Sequence, residues 1–289
     1  MTLTDDWFTE ICPESGSAFS LQVKRKLHEE RTPFQHIEIL ETTHFGTLMV
    51  IDGFIMLSDR DNFLYHEMMS HPVLFTHPAP ERVLIVGGGD CGTLREVLRH
   101  PEIKQVTQVE IDERVTRLAE RYFPELCEAN DDPRATLLFA DAIRWVKEAA
   151  PGSLDVIIVD STDPVGPAEG LFSAKFYRDC MRALGDEGVL VHQSESPLIH
   201  QDLIRAMRGA MREAGFSRLQ TILFPQPVYP SGWWSATMAG KGGPLNLFRE
   251  EASRNKPFPT RYYNHAIHRA ALAMPEFWGE KVDCSTLSR

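Results

Sequence analysis

The sequence predicts an α/β fold in which a parallel sheet flanked by helices follows a small all-β domain. Three observations carry this reading. From Arg82 to about Ala214, short apolar runs alternate with helical stretches, the mark of repeated strand–helix units. The first run, Arg82-Val83-Leu84-Ile85-Val86, is almost wholly apolar, as a strand covered on both faces would be. Residues 1 to 60 read as β, and Asp52-Gly53 there favours the tight turn of a hairpin.

In chain order, Ile37–Leu40 is a short strand, and Thr47–Ile51 and Phe54–Leu57 flank the Asp52-Gly53 turn. Asn62 is placed to cap a helix running to about Phe75, which ends before His77-Pro78-Ala79-Pro80. The strands that follow are Arg82–Val86, Val106–Ile111, Ala135–Phe139, Leu154–Val159 and Val189–His192. The intervening helices are Thr93–Arg99, Glu113–Tyr122, Ala142–Ala149, Ser173–Leu184 and Leu198–Ala214, and Trp233–Ala239 adds a late strand. The aromatic, proline-rich tail from about Lys256 is expected to pack on the main domain. The division is 1–60 for the β-domain and 61–289 for the α/β domain.

Composition narrows the function. The 289 residues include 41 acidic and 30 basic ones, for a net charge of −11. That balance argues against a nucleic-acid surface, which needs clustered Lys and Arg. It fits a cationic small substrate as well as plain solubility. Met1–Glu10 is acidic and lacks the basic and apolar regions of a signal peptide. No apolar run approaches the ~20 residues of a membrane span. The five cysteines are scattered without a C-x-x-C pair, which suggests reduced thiols, a cytoplasmic setting and no zinc site.

Gly87, Gly89 and Gly92 form G-x-G-x-x-G between a strand and a helix, and Glu110 ends the next strand, where a carboxylate can accept from ribose hydroxyls. Asp90 lies inside the loop. A pyrophosphate there would be repelled, by several kcal/mol for charges ~4 Å apart at an effective dielectric near 20. A cationic nucleoside, such as a sulfonium, would be attracted. Asp141, before Ala142, stands where it can cap the following helix, contact an adenine amino group, or both. Asp160 and Asp163, in Asp160-Ser161-Thr162-Asp163-Pro164, follow a strand that ends at the same crevice. They read as turn formers, or as acids for an amine-bearing substrate.

Five motifs then come in a recognisable order: Tyr65-His66-Glu67-Met68, Gly87-Gly88-Gly89-Asp90, Val109-Glu110-Ile111-Asp112, Asp160-Ser161-Thr162-Asp163-Pro164 and Tyr229-Pro230-Ser231-Gly232. Over nearly its whole length the sequence resembles the bacterial spermidine synthases, the polyamine aminopropyltransferases. The resemblance implies a Rossmann-like, methyltransferase-type catalytic domain, a homodimer or homotetramer, and aminopropyl transfer from decarboxylated S-adenosylmethionine to putrescine, giving spermidine and methylthioadenosine. The donor is a cosubstrate; no cofactor or metal is implied. Carried over by motif, Asp160 is the proton acceptor and Asp163 binds the diamine, with Tyr65, His66 and Tyr229 lining its channel. Asp90 takes the donor's ammonium close to the acceptor, Glu110 the ribose, and Asp141 and Ala142 the adenine. Gln35, Gly87, Gly89 and Pro167 correspond to further nucleoside contacts, and Glu195 to a looser diamine match.

Three residues depart from that family's pattern. Cys91 stands where glycine is usual, with a side chain small enough for the loop; Asn62 replaces an acid and Met56 a polar residue, both expected near the acceptor channel. A methyltransferase using ordinary S-adenosylmethionine is the nearest rival, but that donor's carboxylate would meet Asp90. The same aspartate disfavours a nicotinamide dehydrogenase. A silent activating subunit would have no need of Asp90, Asp160 and Asp163. His66-Glu67-Met68-Met69-Ser70-His71 misses H-E-x-x-H by one position, and imidazoles five residues apart diverge by ~140° on a helix. The other histidines are expected on surfaces or at element ends. Trp233 and Trp234 are expected to pack in the core or at a dimer contact.

Overall fold

The computed structural model describes residues 6–162 and 166–281, with the side chains of 166, 167, 280 and 281 left aside. Five antiparallel strands form the first sheet in sequential order: β1 (Trp7–Cys12), β2 (Ser17–Arg31), β3 (His36–Thr42), β4 (Thr47–Ile51) and β5 (Phe54–Ser58). Asp52 and Gly53 both have positive φ, at 52° and 88°, as the turn between β4 and β5 requires. Strands β1 and β2 have amphipathic or polar faces and were not separately legible.

Next come α1 (Asn62–Thr76), β6 (Arg82–Gly87), α2 (Gly92–Leu98), β7 (Gln105–Glu110), α3 (Glu113–Tyr122), β8 (Ala135–Phe139), α4 (Ala142–Glu148) and β9 (Leu154–Asp160). A 3₁₀ segment over Gly166–Phe172 leads to α5 (Ala174–Ala183), β10 (Leu184–Gln193), α6 (Gln201–Glu213), β11 (Arg218–Pro225) and β12 (Trp233–Gly240). The chain continues through α7 (Glu250–Arg254), α8 (His265–Ala271) and α9 (Glu276–Lys281). The second sheet has the order β11-β12-β10-β9-β6-β7-β8. Strands β10 to β8 are parallel, while β12 runs antiparallel to both β10 and β11. This is the methyltransferase-like α/β architecture.

The central strands explain their own composition. Successive residues point to opposite faces. On one face, Val83, Ile85, Val156 and Ile158 pack with Met68, Met69 and Val73 of α1 and Leu94 and Val97 of α2. On the other, Leu84, Val86, Ile157 and Val159 pack with Phe176 and Tyr177 of α5 and Met207 and Met211 of α6. Two covered faces leave no position for a polar side chain.

Several expectations need correction. The N-cap of α1 is Asp61, not Asn62. Asp61 accepts from the Ser58 hydroxyl at 2.6 Å, and the Asn62 amide donates to the Ser58 carbonyl at 2.8 Å. Helix α6 begins at Gln201, so Leu198 precedes it. Strand β11 lies where the sequence reading left no element. Of the other histidines, His268 is buried within α8, and His100 and His192 stand close to element ends but are buried as well. The tail does pack on the main domain: the Glu67 carboxylate on α1 accepts from the backbone N–H groups of Arg261, Tyr262 and Tyr263 at 2.7, 2.9 and 2.7 Å. No helix among the described residues is long and apolar enough to cross a membrane.

Candidate active site

Strand order reverses between β6 and β9, and the crevice beyond their carboxyl ends is where such sheets hold ligands. A cavity of about 320 Å³ opens there, between the two sheets. Its wall carries Gln35, Tyr65, Gly87, Gly89, Asp90, Glu110, Asp141, Ala142, Asp160 and Tyr229, residues separated by up to two-thirds of the chain. The β-domain contributes Met49, Ile51 and Met56 as an apolar side.

The glycine loop is pressed against its neighbours. Gly87 has φ +78°, and a Cβ there would lie 2.2 Å from the Asp160 carbonyl oxygen. That oxygen accepts from the Gly88 N–H at 2.8 Å, so loop and strand end are joined through the backbone. A Cβ on Gly89 would lie 2.9 Å from Glu110 Oε2. Cys91, the N-cap of α2, takes the left-handed conformation with φ +67°. Conformation, beyond the small size noted from sequence, is therefore what glycine would satisfy at this position. The Cys91 thiol is buried and donates to the Gly89 carbonyl at 3.6 Å.

Two acids of the cavity wall are held by hydrogen bonds. Asp90 Oδ1 accepts from the Gly92 N–H at 2.7 Å and lies 3.1 Å from His66 Nε2. Burial opposes ionisation of Asp90, but the charge and hydrogen bond of His66, the Gly92 N–H and Arg95 outweigh it and lower the pKa. Burial likewise opposes protonation of His66, yet Asp90 and Asp160 raise its pKa, which favours the ionic form of the pair. Asp160 accepts from the Tyr65 hydroxyl on Oδ1 at 2.7 Å and from the Thr93 hydroxyl on Oδ2 at 2.6 Å. Its pKa is raised, first by burial and then by the Asp90 charge, against the opposing effect of His66, Thr93 and Tyr65. Burial and the neighbouring Asp160 charge push the Tyr65 phenol well above its ordinary value, which keeps it a neutral donor.

Glu110 lines the same cavity, beside Gly89. Burial pushes its pKa up to about 7, against hydrogen bonds from the Asp112 and Ile111 backbone. Asp112 caps α3 and accepts from the Thr32 hydroxyl at 2.7 Å and the Gln35 amide at 3.0 Å. The β-domain is thereby tied to the strand end that carries Glu110. Asp141 caps α4, accepting from the Ile143 and Arg144 N–H groups at 2.8 and 3.3 Å, and also faces the cavity.

Some residues are not where the motif reading put them. His66 is buried behind Asp90 and is not on the cavity wall. Glu195 is also off the wall: its carboxylate meets the Gln193 amide at 3.1 Å and the His200 ring at 3.3 Å. Asp163 and the Pro167 side chain lie outside the described residues. Of the two departures expected near the acceptor channel, Met56 lines the cavity and Asn62 does not. The Tyr229 hydroxyl donates to the Met56 carbonyl at 2.5 Å, and its ring meets Tyr65 and Trp234 edge-on at 5.9 and 4.7 Å. Trp234 is thus core, and Trp233 meets Phe277.

Thr93, Ser161 and Asp112 were given no role from the sequence, although Ser161 and Asp112 stand in two of its motifs. The signal for Thr93 was its place in the first turn after the glycine loop, facing the end of β9. Ser161 lines the cavity with a buried hydroxyl that has no partner among the described residues. The rings of His66 and His71 serve different neighbours, Asp90 for the first and Glu96 with His100 for the second. Among the described residues, Cys12, Glu14 and His200 bring donor atoms within 4.8 Å of one another, away from the cavity wall. The thiol donates to Glu14 and the His200 ring pairs with Glu195, so these donors already have protein partners.

Known proteins share this fold. Residues 62–249 match the spermine/spermidine synthase domain, and residues 6–59 match the spermidine synthase tetramerisation domain. A polyamine aminopropyltransferase of Methylococcus capsulatus is 68% identical over 275 residues, 95% of this chain and 96% of its own. One from Thioalkalivibrio sulfidiphilus is 66% identical over 283 residues, 98% of this chain and 99% of its own. A solved spermidine synthase in complex with the transition state analogue AdoDATO superposes with a TM-score of 0.93 at 33% identity, covering 98% of this chain and 97% of that one. The spermidine synthase of Thermotoga maritima superposes with a TM-score of 0.90 at 33% identity, covering 96% and 94%.

Proposed function

Because the chain belongs to the spermine/spermidine synthase family, and is thereby an aminopropyltransferase, we propose that it moves the aminopropyl group of decarboxylated S-adenosylmethionine to putrescine. The products are spermidine and methylthioadenosine. One observation carries the choice of donor: Asp90 and Asp160 line the same cavity as Glu110 and the glycine loop. A ligand matched to these groups carries ribose hydroxyls for Glu110 and positive charge for the two aspartates. The relative solved with AdoDATO supports the same reading by kinship.

In this reading Glu110 accepts from the ribose hydroxyls, and Asp141 and Ala142 meet the adenine. Gln35, Gly87, Gly89 and Pro167 complete the nucleoside contacts. Asp90 takes the aminopropyl ammonium, and His66 acts behind it by holding its charge and orientation. Tyr65, Tyr229 and Asp163 receive the diamine.

The chemistry is an in-line displacement. The amine nitrogen forms a bond to the carbon beside the sulfonium, the carbon–sulfur bond breaks, and a neutral thioether leaves. Neutralising the sulfonium drives departure, so the reaction needs no metal. The nucleophile starts as an ammonium with a pKa near ~10.4, and a solvated aspartate near ~3.9 is a poor acceptor for its proton. Burial and the Asp90 charge narrow that gap at Asp160. A carboxylate has about four acceptor positions, of which Tyr65 and Thr93 occupy two. The remaining positions take the ammonium proton. Holding the amine in line is itself worth up to roughly 7–11 kcal/mol.

A homodimer or homotetramer fits the matched tetramerisation domain, and a cytoplasmic setting fits the scattered cysteines. The test is to incubate the protein with putrescine and either decarboxylated or ordinary S-adenosylmethionine and to weigh the products. Spermidine from the decarboxylated donor alone is expected. Methylated putrescine from the ordinary donor would overturn the proposal. A panel including cadaverine and spermidine then ranks the acceptors, with putrescine first.

A further inference from the structure

We propose that Thr93 is a positioning residue for aminopropyl transfer, its hydroxyl fixing the Asp160 carboxylate for proton acceptance. The inference rests on Asp160 as proton acceptor and adds a residue that none of the five motif roles includes.

Thr93 is fully buried in the first turn of α2. A threonine on a helix usually turns its hydroxyl to the carbonyl a turn earlier or to solvent. Here the hydroxyl crosses to another element and donates to Asp160 Oδ2 at 2.6 Å, the short distance of a charge-assisted bond. Tyr65 on α1 donates to Oδ1 at 2.7 Å. Two hydroxyls from two helices thus fix the plane of one carboxylate and leave its other acceptor positions for the cavity it lines.

The same helical turn also sets Asp90. The Gly92 N–H donates to Asp90 Oδ1, and the next residue, Thr93, donates to Asp160. The backbone of the turn is braced from α1, where the Ser70 hydroxyl donates to the Thr93 carbonyl at 3.4 Å. The start of α2 therefore sets the spacing between the acid proposed for the donor ammonium and the acid proposed for the acceptor proton.

The groups acting on Asp160 are Tyr65 and His66 from α1, Asp90 from the glycine loop, Thr93 from α2 and Glu110 from the end of β7. Removing the Thr93 hydroxyl takes away one donor to the anion. Protonated Asp160 gains relative to ionised Asp160, and the acid limb of the kcat/KM profile moves to higher pH.

The experiment compares Thr93→Val, which keeps shape, with Thr93→Ser, which keeps the hydroxyl. Both are also made in an Asp160→Asn background. Thr93→Val is expected to lower kcat roughly ten- to a hundred-fold, the range for losing a hydrogen bond to a charged group. The donor KM stays within about twofold, the acid limb shifts upward, and Thr93→Ser restores most of kcat. Thr93→Val should add little in the Asp160→Asn background, because the two residues act as one unit. Thermal melting and methylthioadenosine binding confirm that each variant is folded. Parental kcat and an unmoved acid limb in Thr93→Val, with Asp160→Asn strongly impaired, would overturn the Thr93 inference alone. Near-parental turnover in Asp160→Asn would instead remove the reading of Asp160 on which it rests.

Discussion

The His66 ring stands 3.1 Å from the Asp90 carboxylate and lies directly against the α-carbon of Gly92, where an added Cβ would be 2.2 Å from the ring. Only glycine at 92 lets the imidazole reach the acid. The pair also has a defined pH window. The pKa of Asp90 is lowered, so its contribution is present above the ordinary aspartate value and is lost as pH falls through the folded value. That of His66 is raised, so its contribution is present below the ordinary histidine value and is lost as pH rises through the folded value. His66→Ala leaves a partly buried carboxylate without its cation and is expected to cost up to about 3 kcal/mol. Denaturant melts at pH 6 and pH 9 check this: the loss should be larger at pH 6. An equal loss at both would mean that packing, not charge, is what the ring contributes.

Glu110 makes nucleoside binding pH-dependent. In the free enzyme its pKa is pushed up to about 7 by burial. A carboxylate that accepts two ribose hydroxyls must be ionised, so binding releases a proton below that pH. Affinity for methylthioadenosine is expected to rise roughly tenfold from pH 6 to pH 8 and then flatten. Calorimetry in two buffers of different ionisation heat reads the proton directly. Glu110→Gln should bind more weakly and lose the slope; a slope that persists there would assign the titration to another group.

Asp160→Asn is expected to lower kcat by a hundredfold or more while methylthioadenosine binds within about threefold of the parent, since general acid–base catalysis contributes roughly 10² to 10⁴. Single-turnover measurements separate this from product release. Asp163→Asn, assigned by motif, should chiefly raise the KM for putrescine.

Three buried histidines predict acid sensitivity. Burial holds His192 down to about 3, and His71 and His268 down to about 4. In the unfolded chain each would ionise near ~6.5. The folded state binds fewer protons between those values, so stability falls as pH drops from about 6.5 towards 4. Their neutral rings are anchored: His192 meets the Tyr177 hydroxyl and His268 the Tyr263 hydroxyl, both at 2.8 Å. Melting temperature against pH should fall steeply in this range, and His192→Gln should reduce the steepness. A curve flat down to pH 4 would show that these rings are hydrated.

These histidines show why part of the molecule was not legible. Strands β6 and β9 could be read because two covered faces leave an uninterrupted apolar run, a property of the segment itself. The polar side chains of α1 suggest a solvent face, yet nearly the whole helix is buried. Glu67 is satisfied by backbone 194 to 196 residues away and His71 by His100. Such partners leave no local pattern. Asp90, Glu110 and Asp160 were legible because each sits at a strand end or glycine loop. His66 was noticed from its motif but misplaced, because only the three-dimensional packing shows that its ring lies behind Asp90.

Cys91 poses the remaining question, whether its thiol takes part in the chemistry of the loop. The residue holds a left-handed conformation that costs a non-glycine residue roughly 1–2 kcal/mol. Against this, the buried thiol contributes packing of about 1 kcal/mol, and it accepts a weak hydrogen bond from the Gln108 amide at 3.6 Å. The two nearly cancel, so Cys91→Gly should leave the melting temperature within a few degrees of the parent. Cys91→Val adds β-branching to the same conformation and should be clearly less stable. If the thiol has no chemical role, Cys91→Gly keeps kcat within about twofold. A tenfold loss of kcat with parental stability would place the thiol in the reaction.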